Sequence, residues 1–261
     1  MNLLNNGFDK NSTYFEHSLD LSKIPTVFIH GVGLDHTMWL PQKKYFYDKN
    51  VIFYDLLNHG RSKKGYKELK FNNFTDQLIQ LVNFLEINKF NLIGFSIGAL
   101  ITQHFTSKHY KKINKLILIA SVYKRSEKQI TKVQNRYEIA LEGKSITVDS
   151  INRWFNPEYL KIKPEIYNYF YNMLEKKNVE DFSPAYKLFV ESDNYELDFS
   201  NFHMPTLIMT GENEIGSTPE MSKMLAKQIN NSKIYIIPKA KHMATFEKSD
   251  LVNIENSKFI S

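Results

Sequence analysis

Residues Gly94-Phe95-Ser96-Ile97-Gly98 constrain the fold of this chain more than any other stretch. They directly follow the apolar run Asn91-Leu92-Ile93 and precede a helix-period segment that opens at Ala99. A strand that turns into a helix within so few residues forces its central residue into a strained backbone, and flanking glycines relieve the clash. The turn then presents the Ser96 hydroxyl above a sheet, at the N-terminus of a helix. Isolated G-x-S-x-G strings also arise as ordinary Gly-rich turns. The strand before and the helix after make this one a candidate nucleophile.

The rest of the chain carries a matching rhythm. Runs at Thr26–His30, Val51–Tyr54, Phe90–Phe95, Leu116–Ala120, Thr206–Thr210 and Lys233–Ile237 are nearly all apolar, as strands buried on both faces should be. Between them, Thr75–Asn88 carries Leu78, Leu81, Val82 and Leu85 at helical spacing. A further helix opens at Thr218-Pro219-Glu220, with Thr218 as cap and Pro219 at the first helical position; Met221, Met224 and Leu225 are expected to face inward. This alternation predicts an α/β fold with a mostly parallel central sheet flanked by helices. From Val122 to Ser200 no such strand occurs. That interval is aromatic-rich instead, and Pro157, Pro164 and Pro184 read as breaks between helices. The expected organisation is a core of residues 1–121 and 201–261, with a helical cap inserted at 122–200.

A serine needs a base to remove its proton. In a fold of this type the order along the chain is serine, acid, histidine. His242 lies just after the last strand, in Lys241-His242-Met243-Ala244, and is the expected base. The acid should follow the preceding strand, where Gly211-Glu212-Asn213-Glu214 stands. Glu214, three residues past the glycine, is favoured to hold the imidazole in the right tautomer and stabilise its charged form. Glu212 is the competitor. Upstream, His30-Gly31-Val32-Gly33 follows the first main strand, so the backbone N–H groups of Val32 and Ile97 would form an oxyanion hole. His30 itself reads as a buried, hydrogen-bonded histidine that shapes this loop. Asp55 and His59-Gly60-Arg61-Ser62, after the second main strand, read as a structural turn.

Composition closes off other chemistries. The absence of cysteine excludes a disulfide scaffold, a thiolate metal site and a cysteine nucleophile, and fits a reducing compartment. The net charge of +6 comes from lysines interspersed with acids, which is a solvated surface rather than a nucleic-acid patch. No H-E-x-x-H pair, phosphate-binding P-loop or dinucleotide-binding glycine pattern occurs, so no metal and no cofactor are expected. Met1–Lys10 lacks a basic region followed by an apolar run, and Leu92–Ile101 is too short to span a bilayer. The expected protein is cytoplasmic, with a small-molecule substrate and neither nucleic acid nor membrane as partner.

Taken in order, His30-Gly31-Val32-Gly33, Asp55 to Ser62, Gly94 to Gly98, Gly211 to Glu214 and Lys241-His242 resemble the α/β-hydrolase superfamily from Thr26 onward. More narrowly, His30 to His36 leading to Met38-Trp39, with Arg136, Gly143 and Arg153-Trp154-Phe155 in the insertion, resembles the 3-oxoadipate enol-lactonase group. That resemblance implies cofactor-free hydrolysis of an ester or lactone, including enol-lactones and other carboxylate-bearing acyl compounds, under a helical cap. C–C or amide hydrolysis, acyl transfer on the same triad, or a non-catalytic ligand sensor are the alternatives. The group usually has aspartate where this chain has Glu214, so the loop must absorb one methylene. Gly216-Ser217-Thr218-Pro219 is shared with relatives that hydrolyse amide-bearing succinate derivatives. Between Val122 and Lys163 nine basic residues face five acidic ones, and Arg136, Arg153 and Trp154 are the candidate substrate contacts.

Overall fold

The computed structural model describes residues 4–261; of the Met1–Lys10 stretch, the first three residues lie outside them. Its centre is one eight-stranded sheet. In chain order the strands are β1 (Asn5–Phe8), β2 (Tyr14–His17), β3 (Thr26–Ile29), β4 (Val51–Tyr54), β5 (Phe90–Phe95), β6 (Ile113–Ile119), β7 (Thr206–Gly211) and β8 (Ser232–Ile237). They lie side by side as β1-β2-β4-β3-β5-β6-β7-β8. Pairing is antiparallel from β1 to β4 and parallel from there to β8.

Strand alternation explains why both faces are covered. Val27, Ile29, Leu92, Leu116 and Leu118 point into one apolar cluster, while Phe28, Ile93, Phe95, Ile117 and Ile119 point into the other. The first face is covered by α2 (Phe71–Phe84), α3 (Ile97–His109) and α9 (Pro219–Ala226), which contribute residues such as Leu78, Phe105 and Leu225. The second is covered by α1 (Leu40–Tyr45) and, near the chain's end, α10 (Ala244–Glu247) and α11 (Ser249–Ile260). Leu78 is fully buried, and truncating such a residue to alanine typically costs about 2–5 kcal/mol.

Between β6 and β7 run α4 (Glu127–Leu141), α5 (Thr147–Trp154), α6 (Pro157–Ile162), α7 (Pro164–Glu175) and α8 (Val179–Val190), all within residues 122–200. Pro157 and Pro164 open α6 and α7. Pro184, expected as a break, instead lies inside α8, where packing of its buried ring holds the helix despite the missing N–H.

Two further expectations are corrected, and one strand pair has no counterpart in the sequence pattern. Lys233–Ile237 is not buried on both faces: β8 is the sheet edge, and Ile234 is largely exposed. Met224 points outward, because α9 turns only Met221, Ser222 and Leu225 inward. The hairpin β1–β2 was invisible as a strand pair, since β1 is short, polar and exposed; pairing of β2 with β4 is what orders it. Element ends also move. Helix α2 begins at Phe71 rather than Thr75, because the Asn73 side chain accepts the Lys70 N–H and starts the helix early.

Chain direction sets where a site can form. From β3 the chain steps to β4 on one side and returns to β5 on the other. The crevice beyond the carboxyl ends of β3 and β5 is therefore the switch point at which open α/β sheets bind ligands.

Candidate active site

Ser96 stands in that crevice, at the junction of β5 and α3. Its backbone has φ 57° and ψ −119°, a left-handed conformation that a non-glycine residue adopts only under constraint. The constraint is packing of α3 onto β3. A methyl group on Gly98 would lie 2.5 Å from the Ile29 carbonyl oxygen, so only glycine lets the helix start this close to the sheet.

Facing Ser96 is the loop after β3. Val32 lies on that loop and Ile97 opens α3, and neither backbone N–H donates to a protein acceptor among the described residues. The next amide, Gly33, is already engaged, since it donates to Nε2 of His59 at 3.0 Å. His59 Nδ1 contacts the Leu57 carbonyl at 2.8 Å, which fixes the tautomer that accepts from Gly33. Burial holds His59 neutral, well below the usual imidazole range. His30 is arranged likewise, accepting the Leu56 N–H at Nε2, with burial lowering it to about 4. These two histidines shape the loop. The role of His59 is not legible in the sequence, where it reads as part of a turn; its partner Gly33 is 26 residues away on another loop.

His242 lies on the connection after β8. Its Nδ1 meets Oε2 of Glu214 at 2.7 Å, and no hydrogen bond joins it to Ser96 among the described residues. Contacts of this kind commonly tighten only with substrate in place. The ring packs between Phe95 and Trp154, at centroid distances of 4.8 and 6.0 Å. Gly211 permits the meeting, since a methyl there would collide with the carbonyl oxygens of Ala240 and Lys241, the two residues before His242.

Glu214 and Glu212 are separated by geometry. Glu214 is buried, and its second oxygen accepts the N–H groups of Gly216 and Ser217. Burial alone would raise its carboxyl. The facing His242, the Gly216 N–H and Arg153 outweigh it and hold the group at about 2. Glu212 turns away and accepts the Lys239 N–H at 2.9 Å.

Val32, Ser96, Glu214 and His242 line one cavity of about 470 Å³, roofed by α4, α5, α7 and α8. Arg136 and Arg153 reach into it, each with its Nε buried and unpartnered. Neither forms an ion pair among the described residues. Burial and the adjacent Arg136 charge lower the Arg153 guanidinium from its ordinary value. Arg125, also on the wall, differs in being paired with Asp193 at 2.6 Å and bonded to the carbonyls of Phe189 and Val190, although its Nη1 is likewise unpartnered. Trp154 closes the cavity beside His242.

A second histidine cluster lies outside the cavity. His36 meets Asp55 at 2.7 Å through Nδ1 and Glu16 at 3.1 Å through Nε2, while Lys43 pairs with Glu16 at 2.6 Å. Asp35, His36 and Asp55 are close enough to suggest a metal site. Both ring nitrogens of His36 are engaged by carboxylates, however, which makes it an imidazolium donor with no lone pair to offer a metal.

A serine elbow at the switch point of a mostly parallel sheet, with a histidine–carboxylate pair beside it, defines a class. This chain belongs to the alpha/beta hydrolase fold family, whose model matches residues 25–249. Among curated relatives, it is 30% identical over 232 residues to the (E)-2-((N-methylformamido)methylene)succinate hydrolase of Acinetobacter baylyi, covering 88% of this chain and 87% of that one. It is 24% identical to 3-oxoadipate enol-lactonase 2 of the same organism, covering 87% and 85%. The crystal structure of the enol-lactonase from Burkholderia xenovorans superposes with a TM-score of 0.82 at 19% identity, over 98% of this chain and 99% of that one, which speaks to the fold alone. No helix among the described residues is long and apolar enough to cross a membrane.

Proposed function

We propose that this hydrolase cleaves an ester or lactone bond of a small carboxylate-bearing compound through an acyl-enzyme on Ser96. The observation that carries this reading is the 2.7 Å Glu214–His242 pair opening on the same cavity as Ser96. In the reaction, Ser96 Oγ attacks the acyl carbon as its proton passes to Nε2 of His242. The negative charge that develops on the carbonyl oxygen is met by the N–H groups of Val32 and Ile97. Collapse expels the leaving oxygen, which takes the proton from His242. Water then attacks the acyl group with His242 again as base, and Ser96 is released with its proton restored. Glu214 stays ionised throughout and compensates the imidazolium.

Arg136, Arg153 and Trp154 bind the substrate. Two guanidiniums in one cavity, neither in an ion pair among the described residues, suit an anion, and arginine grips a carboxylate with two parallel hydrogen bonds. The relative named for a methylenesuccinate substrate supports that charge preference. Residues 122–200 act as the cap over a core of 1–121 and 201–261. The test is a screen of neutral and acidic aryl esters, enol-lactones and acylamino-succinates against the protein and its Ser96→Ala variant. Turnover that depends on Ser96 and favours acidic substrates is expected. Turnover unchanged in Ser96→Ala, with phosphonate labelling on another residue, would overturn the reading.

A further inference from the structure

The connection that carries His242 has no regular structure of its own between β8 and α10, so something else must hold the base in place. The structure shows what does. Met243 N–H donates to the Trp154 carbonyl at 3.0 Å, and Tyr159 donates its hydroxyl to the Phe246 carbonyl at 3.2 Å. Asn156 Nδ2 donates to the Lys239 carbonyl at 2.8 Å. Between the two segments lies the buried Glu247. Its Oε2 accepts the N–H of Lys241, the residue before His242, at 2.6 Å. Its Oε1 accepts both the backbone N–H and, at 2.8 Å, the Nδ2 of Asn156, which stands between α5 and α6.

Each oxygen of Glu247 thus has a separate assignment, one toward the histidine loop and one toward the roof of the cavity. No other acid among the described residues bridges these two segments. The roof segment it grips follows directly on Arg153 and Trp154. We propose that Glu247 is a positioning residue for the proton transfer: it locks His242 to the roof helix that carries the anion-binding arginine, so that base and anion site are set as one unit. This rests on the triad reading above.

The chemistry of glutamine supplies the test. In Glu247→Gln the amide oxygen can keep both Asn156 donors, which places its NH₂ group against the Lys241 N–H, donor facing donor. The tie to the histidine loop is lost while volume and the tie to the roof remain. A base displaced by a fraction of an ångström to an ångström loses up to about 10²-fold in rate. The full-length protein, Glu247→Gln and a destabilised control, Leu78→Ala, are compared below the unfolding midpoint of each, on p-nitrophenyl acetate and p-nitrophenyl hemisuccinate.

We expect kcat of Glu247→Gln to fall about 10- to 100-fold on both esters with KM for the neutral one unchanged. The shape of its kcat/KM–pH profile should change as well, because the base is no longer held in one place against Glu214. Leu78→Ala should keep both kcat and the profile. Should Glu247→Gln fail to fold, Asn156→Ala removes the side-chain half of the grip on the roof, leaving only the backbone N–H on Oε1, and should lower kcat in the same direction by up to about 10-fold. A Glu247→Gln protein, or in its place Asn156→Ala, that matches Leu78→Ala in kcat and pH profile overturns the proposal while leaving Ser96-dependent turnover intact. Loss of Ser96 dependence in the parent protein would instead remove the triad reading on which it rests.

Discussion

His242 and His36 each meet a carboxylate through Nδ1 at 2.7 Å, yet they are built for opposite ends. His242 has one acid, Glu214, and its other ring nitrogen lacks a protein partner among the described residues. His36 has two acids, Asp55 and Glu16, one on each nitrogen, and Lys43 neutralises the second. Burial opposes a charged His36, but hydrogen bonds to Asp55 and Glu16 prevail and push it up to about 9. Protonated up to about pH 9 and enclosed, it joins β2, the loop before α1 and the end of β4. The comparison teaches that an imidazole–carboxylate contact can serve as a base only where one nitrogen is left to face a cavity.

The largest effect separating the two sites is expected from Ser96→Ala and His242→Ala, each lowering kcat by about 10⁴–10⁶ with the unfolding midpoint kept. A serine-directed phosphonate should label the parent protein and neither variant at residue 96. His36→Gln should do the reverse, keeping kcat and lowering the midpoint. If His36→Gln abolished turnover at a temperature where it is folded, the division of labour drawn above would be wrong.

Glu214→Gln comes next. The neutral amide favours the wrong imidazole tautomer, and the corresponding aspartate-to-asparagine change in serine proteases, a worked case in other proteins, drops kcat about 10⁴-fold. Glu214→Asp should retain part of the activity, since charge is kept and reach is lost. Glu212→Gln should stay within a few-fold of the parent, because Glu212 serves only the Lys239 turn. Kinetics on purified variants would show a reversed pattern at once if Glu212 were the acid.

Arg136→Ala and Arg153→Ala should each cost about 10–10² in kcat/KM on acidic esters, the range of a charge-assisted hydrogen bond, and little on neutral ones. Equal losses on both ester types would return these arginines to a structural role.

The smallest effect is a pH dependence of stability. His36 lies above its ordinary value when folded, so its contribution is complete below about 6.5 and is lost as pH rises through about 9. Glu16, held at about 2 by His36 and Lys43 against the effect of burial, contributes above about 4.5 and loses that share as pH falls toward 2. In a chain of this size 1 kcal/mol moves the midpoint by about 2–4 °C. The midpoint should therefore drop by several degrees between pH 6.5 and 9, and His36→Gln should abolish most of that alkaline slope. A slope unchanged in His36→Gln, followed by calorimetry, would assign it to other groups.

What the sequence determined by itself is what short stretches of backbone dictate. Glycines at 94 and 98 around Ser96, an apolar run before them and a helical period after them need no distant partner to be read. The parallel core, the helical insertion and the candidate order Ser96, Glu214, His242 followed from such local rules, as did Thr218 capping α9. Only the tertiary structure decided which way side chains face. Glu212 and Glu214 differ by two residues, and it is the fold of the Gly211 crossing that turns one toward His242 and the other toward Lys239. The edge position of β8, the hairpin that delivers Glu16 to His36, the His59 bond to Gly33 and the Glu247 bridge likewise join residues from different loops or sheet neighbours. Such pairings are fixed when the whole sheet closes and buries them, because only there do otherwise solvated groups have no alternative partner.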